Sequence, residues 1–218
     1  MKALFCIIVV LLLYACCRKK RKTKKTVRMQ IPVSCEREQF YRSQQDVLVG
    51  MGMCATLQFR TCLVCGVLDG MQYTFEQHPP RLPLHPGCRC ILLPVTPLSD
   101  FMASPRPAEM VPVAYFAELR YNAEKRKKKF TELAKSTQKK YYYAEEKILT
   151  SQGVKVWRQF EGNYQQWFYS LPPEYQKIIV GEERFYFMCK KQLHISHLVD
   201  FANLREYSME ELKQRYGY

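Results

Sequence analysis

Apolar residues follow different rhythms along this chain, and each predicts a different kind of structure. Residues 3–17 (ALFCIIVVLLLYACC) are apolar without a single charge. From Phe116 onward the stripe steps by three or four instead, through Leu119, Ala123, Arg126, Phe130, Leu133, Thr137, Tyr141, Ala144 and Ile148. That spacing lines one face of a helix, and it predicts a single long, basic, amphipathic helix over 113–152 that stops at Gly153. Arg126 and Thr137 interrupt the stripe. Residues 56–96 follow neither rhythm. Pro79, Pro80, Pro83, Pro86 and Pro94 each fix φ and remove a backbone donor, so loops and short strands are expected there.

The other segments are shorter. Residues 31–55 read as a linking helical segment, weakly helical from Arg37 to Met53, with Gly50 and Gly52 marking its end. Residues 97–112 are polar and punctuated by proline, the pattern of a linker. Residues 153–218 read as short helices: one opens at Ser170-Leu-Pro-Pro-Glu and ends near Gly181, and Ser208 with Glu211 forms a capping box ahead of Leu212. Together these predict an α+β protein, with a small Cys-rich loop/strand module, a long helix and a C-terminal group of short helices.

Charge changes this picture at two places. The net charge of +14 is concentrated: residues 1–28 hold nine basic and no acidic side chains, and residues 118–147 hold ten basic and five acidic ones. A nucleic-acid or anionic surface contact is therefore assigned to the central stretch, at Lys125, Arg126, Lys127, Lys128 and Lys129. The block RKKRKTKK (18–25) directly follows the apolar run, so the basic tail 18–30 is read as a topology signal that keeps the body cytoplasmic. Residues 1–17 then form a short membrane anchor or signal-like segment, although fifteen residues fall short of the roughly 20 of an unstrained span. A lipoprotein leader (Leu13-Tyr14-Ala15-Cys16) is the alternative, as is a start codon set too far upstream, which would leave the protein free in the cytoplasm.

The proline-rich segment also carries the chemistry. Cys62 and Cys65 stand two residues apart before Gly66, Cys88 and Cys90 flank Arg89, and His85 lies just upstream of the second pair. A tight knuckle at Cys62–Gly66, its glycine at positive φ, and a strand carrying Cys88 and Cys90 on one side would bring five donors to a structural zinc site. His78 is a weaker sixth donor. In a reducing compartment a metal is favoured, in an oxidising one disulfides, and inert buried thiols remain the bland alternative. Catalytic versions fit poorly. No βαβ unit surrounds Cys62-Leu63-Val64-Cys65, His85 is followed by Pro86 and Gly87 rather than an acid, and no nucleophile and base set or glycine-rich phosphate loop appears. His194 and His197, three apart with no acid beside them, read as structural or surface residues. No enzyme and no small-molecule substrate are expected.

The run RTCLVCGVLDGMQY, a proline-rich gap and PLHPGCRCILLPV together resemble the phage Mu F-like head morphogenesis domain of minor capsid proteins. Cys62, Cys65, Leu68, Asp69, Gly70, Tyr73, His85, Pro86, Cys88, Arg89 and Cys90 carry the likeness, and NYQQWFYSLPPEYQKIIVGEERFYF resembles the closing part of that family. Phe59 and Arg60 stand where the family has an acid, and residues 100–155 read as an insertion. The resemblance covers about 56–96 and 157–217. It implies a minor head component associated with phage portal or capsid proteins and in contact with DNA. Asp69-Gly70 is expected to form a hairpin turn, with Arg89 as the ion-pair partner of Asp69.

Overall fold

The computed structural model describes residues 33–98, 102, 104–124, 126 and 128–217. The apolar segment 3–17, the basic tail 18–30 and the side chains of Lys125 and Lys127 lie outside the described residues. Among those described, no helix is long and apolar enough to cross a membrane. The class is α+β, built from helices and small antiparallel sheets.

Helix α1 (Val33–Arg42) leads to a three-stranded sheet whose centre is β1 (Gly50–Cys54), flanked by β2 (Gln72–Thr74) and β3 (Ile91–Val95). The linking segment 31–55 is thus helical only to Arg42. Its glycines belong to a strand: a Cβ on Gly50 would lie 2.3 Å from the Tyr73 carbonyl oxygen, and Met51 and Met53 are fully buried. Between β1 and β2 runs α2 (Leu63–Leu68), every residue of which is buried.

Residues 97–112 are not simply a linker. Arg106–Glu109 forms β4, paired with β5 (Trp157–Phe160), and Glu109 N donates to Leu57 O at 2.8 Å. Pro107 is tolerated because this is a two-stranded sheet with no inner strand to satisfy.

The single helix expected over 113–152 is instead a helical hairpin: α3 (Val113–Ala123), a one-turn 3-10 segment at Phe130–Glu132, and α4 (Lys135–Ser151). The physical reason lies in the same stripe that suggested one helix. An amphipathic face needs a partner, and folding back supplies one from within the segment. Tyr121, Phe130 and Tyr141 meet edge to face with centroids 5.1–5.9 Å apart, and Tyr121 and Phe130 are buried. Arg120 closes the hairpin on the buried carboxylate of Glu145 at 2.5 and 3.0 Å.

The C-terminal part holds α5 (Tyr164–Ser170), α6 (Pro173–Val180), α7 (Glu182–Lys191), a 3-10 turn at Ile195–Leu198, the strand pair β6 (Val199–Asp200) and β7 (Arg205–Glu206), and α8 (Met209–Tyr216). The caps read from sequence are present: α6 stops at Gly181 with φ 85°, and Ser208 and Glu211 cap α8 reciprocally. His194 and His197 cap the 3-10 turn, the His194 amide donating to His197 Nδ1 at 3.0 Å.

One core joins the two halves of the chain. Tyr164, Trp167 and Phe168 of α5 are fully buried against α2, and the indole of Trp167 donates to Glu109 O at 3.1 Å. At its centre sits an ion pair. Asp69 takes bonds from Ala55 N (2.7 Å), Tyr164 N (2.6 Å) and both terminal nitrogens of Arg106. Arg106 also donates to Ala55 O and Gly162 O. Asp69 therefore ends α2, with Gly70 at φ 90° turning into β2, rather than forming a two-residue hairpin turn. Its partner is Arg106, not Arg89, whose guanidinium donates to Gln58 Oε1 at 2.6 Å.

Candidate metal centre

Two segments supply the cysteines, and the fold brings them to one place. Cys62 caps the N-terminus of α2 and Cys65 lies in its first turn; the sulfur of Cys62 accepts from Cys65 N at 3.4 Å. The expected knuckle is thus the start of a helix. Gly66 sits inside that helix for a different reason: a Cβ there would lie 2.4 Å from the Tyr164 ring, so the glycine permits α5 to approach. Cys88, Arg89 and Cys90 form an extended loop just before β3, not part of the strand itself.

His85 Nε2 stands 3.1 Å from Cys62 Sγ and 3.2 Å from Cys65 Sγ, and Cys65 Sγ stands 3.7 Å from Cys88 Sγ. The donors form two overlapping triads, Cys62–Cys65–His85 and Cys65–Cys88–Cys90, that share Cys65; within each, all ligand atoms lie within 4.8 Å of one another. All five residues singled out by sequence are therefore brought together, and either triad can hold a metal ion. His78 is not among them: it is exposed beside Arg42 and Glu38.

The spacing suits a tetrahedral ion. With metal–sulfur bonds of about 2.3 Å, two sulfurs on one tetrahedron lie about 3.8 Å apart, and sulfur and nitrogen about 3.5 Å apart. The sulfur–sulfur edge matches; the imidazole must withdraw by a few tenths of an ångström to admit an ion. His85 Nδ1 lies 3.1 Å from Pro86 O, so a proton on Nδ1 donated to that carbonyl leaves Nε2 free to ligate. The small cleft lined by the five donors together with Thr56, Gln58, Arg60, Thr61, Gly87 and Arg89 has a volume of about 40 Å³, room for an ion.

The thiols of the cluster shift in different directions. The Cys62 thiol is pushed up by its hydrogen bond with the Cys65 thiol and by burial. At Cys65 the bond with Cys62 pulls down, but Cys90 and burial outweigh it and the thiol rises. Burial pushes Cys88 up too, yet hydrogen bonds with the backbone of Cys90 and Leu84 prevail and lower it. A cation bound here would displace thiol protons. Cys54, Cys62, Cys65, Cys88, Cys90 and Cys189 are free thiols.

Residues 125–129 are less uniform than their sequence. Arg126 pairs with Glu124 and lies over the rings of Tyr121 and Tyr141 at 5.1 and 5.6 Å, so it braces the hairpin turn. Lys128 and Lys129 are exposed. Sequence reasoning missed Arg106, because a basic residue in a proline-rich linker carries no local sign of its partner 37 residues away. Comparison with family models, with curated proteins and with solved structures gave no match.

Proposed function

We propose that the chain is a phage-type minor head protein, a non-catalytic capsid-morphogenesis module of the Mu F-like kind stapled by one structural zinc ion. The observation that carries this reading is the way the two stretches resembling that family meet. Residues 56–96 and 157–217 are far apart in sequence, yet they build one core around the Asp69–Tyr164 bond and the Gly66–Tyr164 contact. Of the residues 100–155 expected as an insertion, 113–152 folds on itself as a hairpin, whereas Arg106–Glu109 joins the core through Arg106 on Asp69.

Zinc is the ion favoured by a thiolate-rich set with one imidazole and a tetrahedral edge. Its role is structural, since five protein donors compete for four positions and leave none open. The proline-rich loops around it could not bury a core of their own. On this reading the body faces a reducing cytoplasm, the N-terminal segment holds it at the membrane before assembly, and portal or capsid proteins and DNA are its partners. An epitope-tagged chain followed through phage induction tests this. The wild type is expected in purified particles and the Cys65→Ser variant absent from them; a tagged wild-type chain that stays in host membranes and never enters particles would contradict it.

A further inference from the structure

Beside the cysteine cluster lies a second, larger cleft that the assembly reading leaves unused. Its volume is about 370 Å³, within the range of small-molecule sites. Gln58, Arg60 and Arg89 line both this cleft and the cysteine cluster, so one wall is shared with the metal centre. Three cations face the cleft: Arg60, Arg89 and Lys139. Among the described residues none of the three has an ion-pair partner, whereas Arg106, Arg120, Arg126, Arg184 and Arg205 are each held by a carboxylate.

Aromatic and acidic groups line the same cleft. Tyr142 and Trp157 present rings to the cleft, with the Arg60 guanidinium 4.8 Å from the Tyr142 centroid. The two carboxyls present are already engaged: Glu146 accepts from Trp157 Nε1 at 2.8 Å, and buried Glu109 accepts from Phe59 N at 3.1 Å. Their remaining oxygens can accept from a hydroxyl or amino group. The charge balance is left to the cations.

The geometry points to a site for a phosphate ester carried on a planar ring, the chemistry of a nucleotide. The phosphate lies between Arg60, Arg89 and Lys139, where guanidinium and ammonium groups supply charge-assisted bonds. The ring stacks on exposed Trp157, since the Arg60 guanidinium already covers the Tyr142 face, and such stacking tolerates any base. The ligand is either a free mononucleotide or a nucleotide within a single strand. The cleft's size admits one such unit.

Calorimetric titration of the full chain tests this with four probes: adenosine monophosphate, adenosine, inorganic phosphate and a short single-stranded oligonucleotide. Emission of Trp157 is followed in parallel, since the other tryptophan, Trp167, is fully buried. The monophosphate is expected to bind more tightly than adenosine or phosphate alone. Arg60→Ala and Lys139→Ala, both at exposed positions, should each weaken it by about tenfold or more, while Lys140→Ala, exposed one residue along the same helix, should not. An oligonucleotide that binds more tightly than the monophosphate, with the same losses, assigns the site to a nucleic-acid strand; the reverse order assigns it to free nucleotide. No response to either at millimolar concentration, or undiminished binding by Arg60→Ala and Lys139→Ala, would overturn the site. Zinc content of the same samples separates failure here from failure of the metal centre.

Discussion

The region around α2 and α5 and the hairpin α3–α4 achieve burial in opposite ways. The first draws residues from across the sequence, including Met53, Leu68, Trp167 and Leu212, and needs long-range ties to hold them. Those ties are the cysteine cluster and the Asp69–Arg106 pair, each spanning more than twenty residues. The hairpin closes over a short loop and buries a cluster of neighbours, Tyr121, Phe130 and Tyr141. A local element of this kind forms from its own stripe; a module rich in proline and loops must be cross-linked.

The largest expected effect separates the two regions by metal. Cys65→Ser removes the donor common to both triads. Zinc binding by such sets is worth about 10 kcal/mol or more, comparable with the whole stability of a domain, about 5–15 kcal/mol, so residues 56–96 should lose protection in hydrogen exchange. Cys62→Ser should cost less, because it breaks only one triad and leaves Cys65–Cys88–Cys90 whole, and His78→Ala should change nothing. Equal melting of all three variants would break the comparison.

Next comes Arg106→Met. It leaves the fully buried Asp69 carboxylate without its counter-ion, and breaking a buried pair costs about 3–5 kcal/mol. Thermal melts should show this loss with the metal still bound. In the hairpin, Phe130→Leu keeps most of the apolar volume but removes three ring contacts, an expected loss of about 1 kcal/mol. Hydrogen exchange should locate that loss to 113–152, leaving α2 and α5 protected.

The smallest effect depends on pH. Burial raises the Glu109 carboxyl above its ordinary value, despite the bond from Phe59 N. A raised folded value means the stabilising contribution is complete below the ordinary carboxylate range and is lost as pH rises through the elevated folded value. Glu109→Gln should therefore melt above the wild type at pH 8 and alongside it at pH 4, the gap being less than about 4 °C in a chain of this size.

What the sequence made legible follows the same division. Helix caps at Gly181 and at Ser208–Glu211 could be read because their partners lie within a few residues. The five metal donors could be read because thiols and imidazole in short spacing carry their chemistry with them. Which residue pairs with Asp69 could not, since Arg106 and the nearby Arg89 look alike in sequence and only the β4–β5 sheet delivers the former. The break at 124–129 was hidden for another reason: a stripe of period 3.6 is the same whether it faces another element or its own continuation.

The metal carries the account. Elemental analysis with thiol counting on the purified chain, kept reduced, tests it most directly. One zinc per chain, with at least three of Cys62, Cys65, Cys88 and Cys90 released to a thiol reagent only after chelation and denaturation of the module, is the predicted result. A folded chain free of metal, with those cysteines reacting at once, would contradict it.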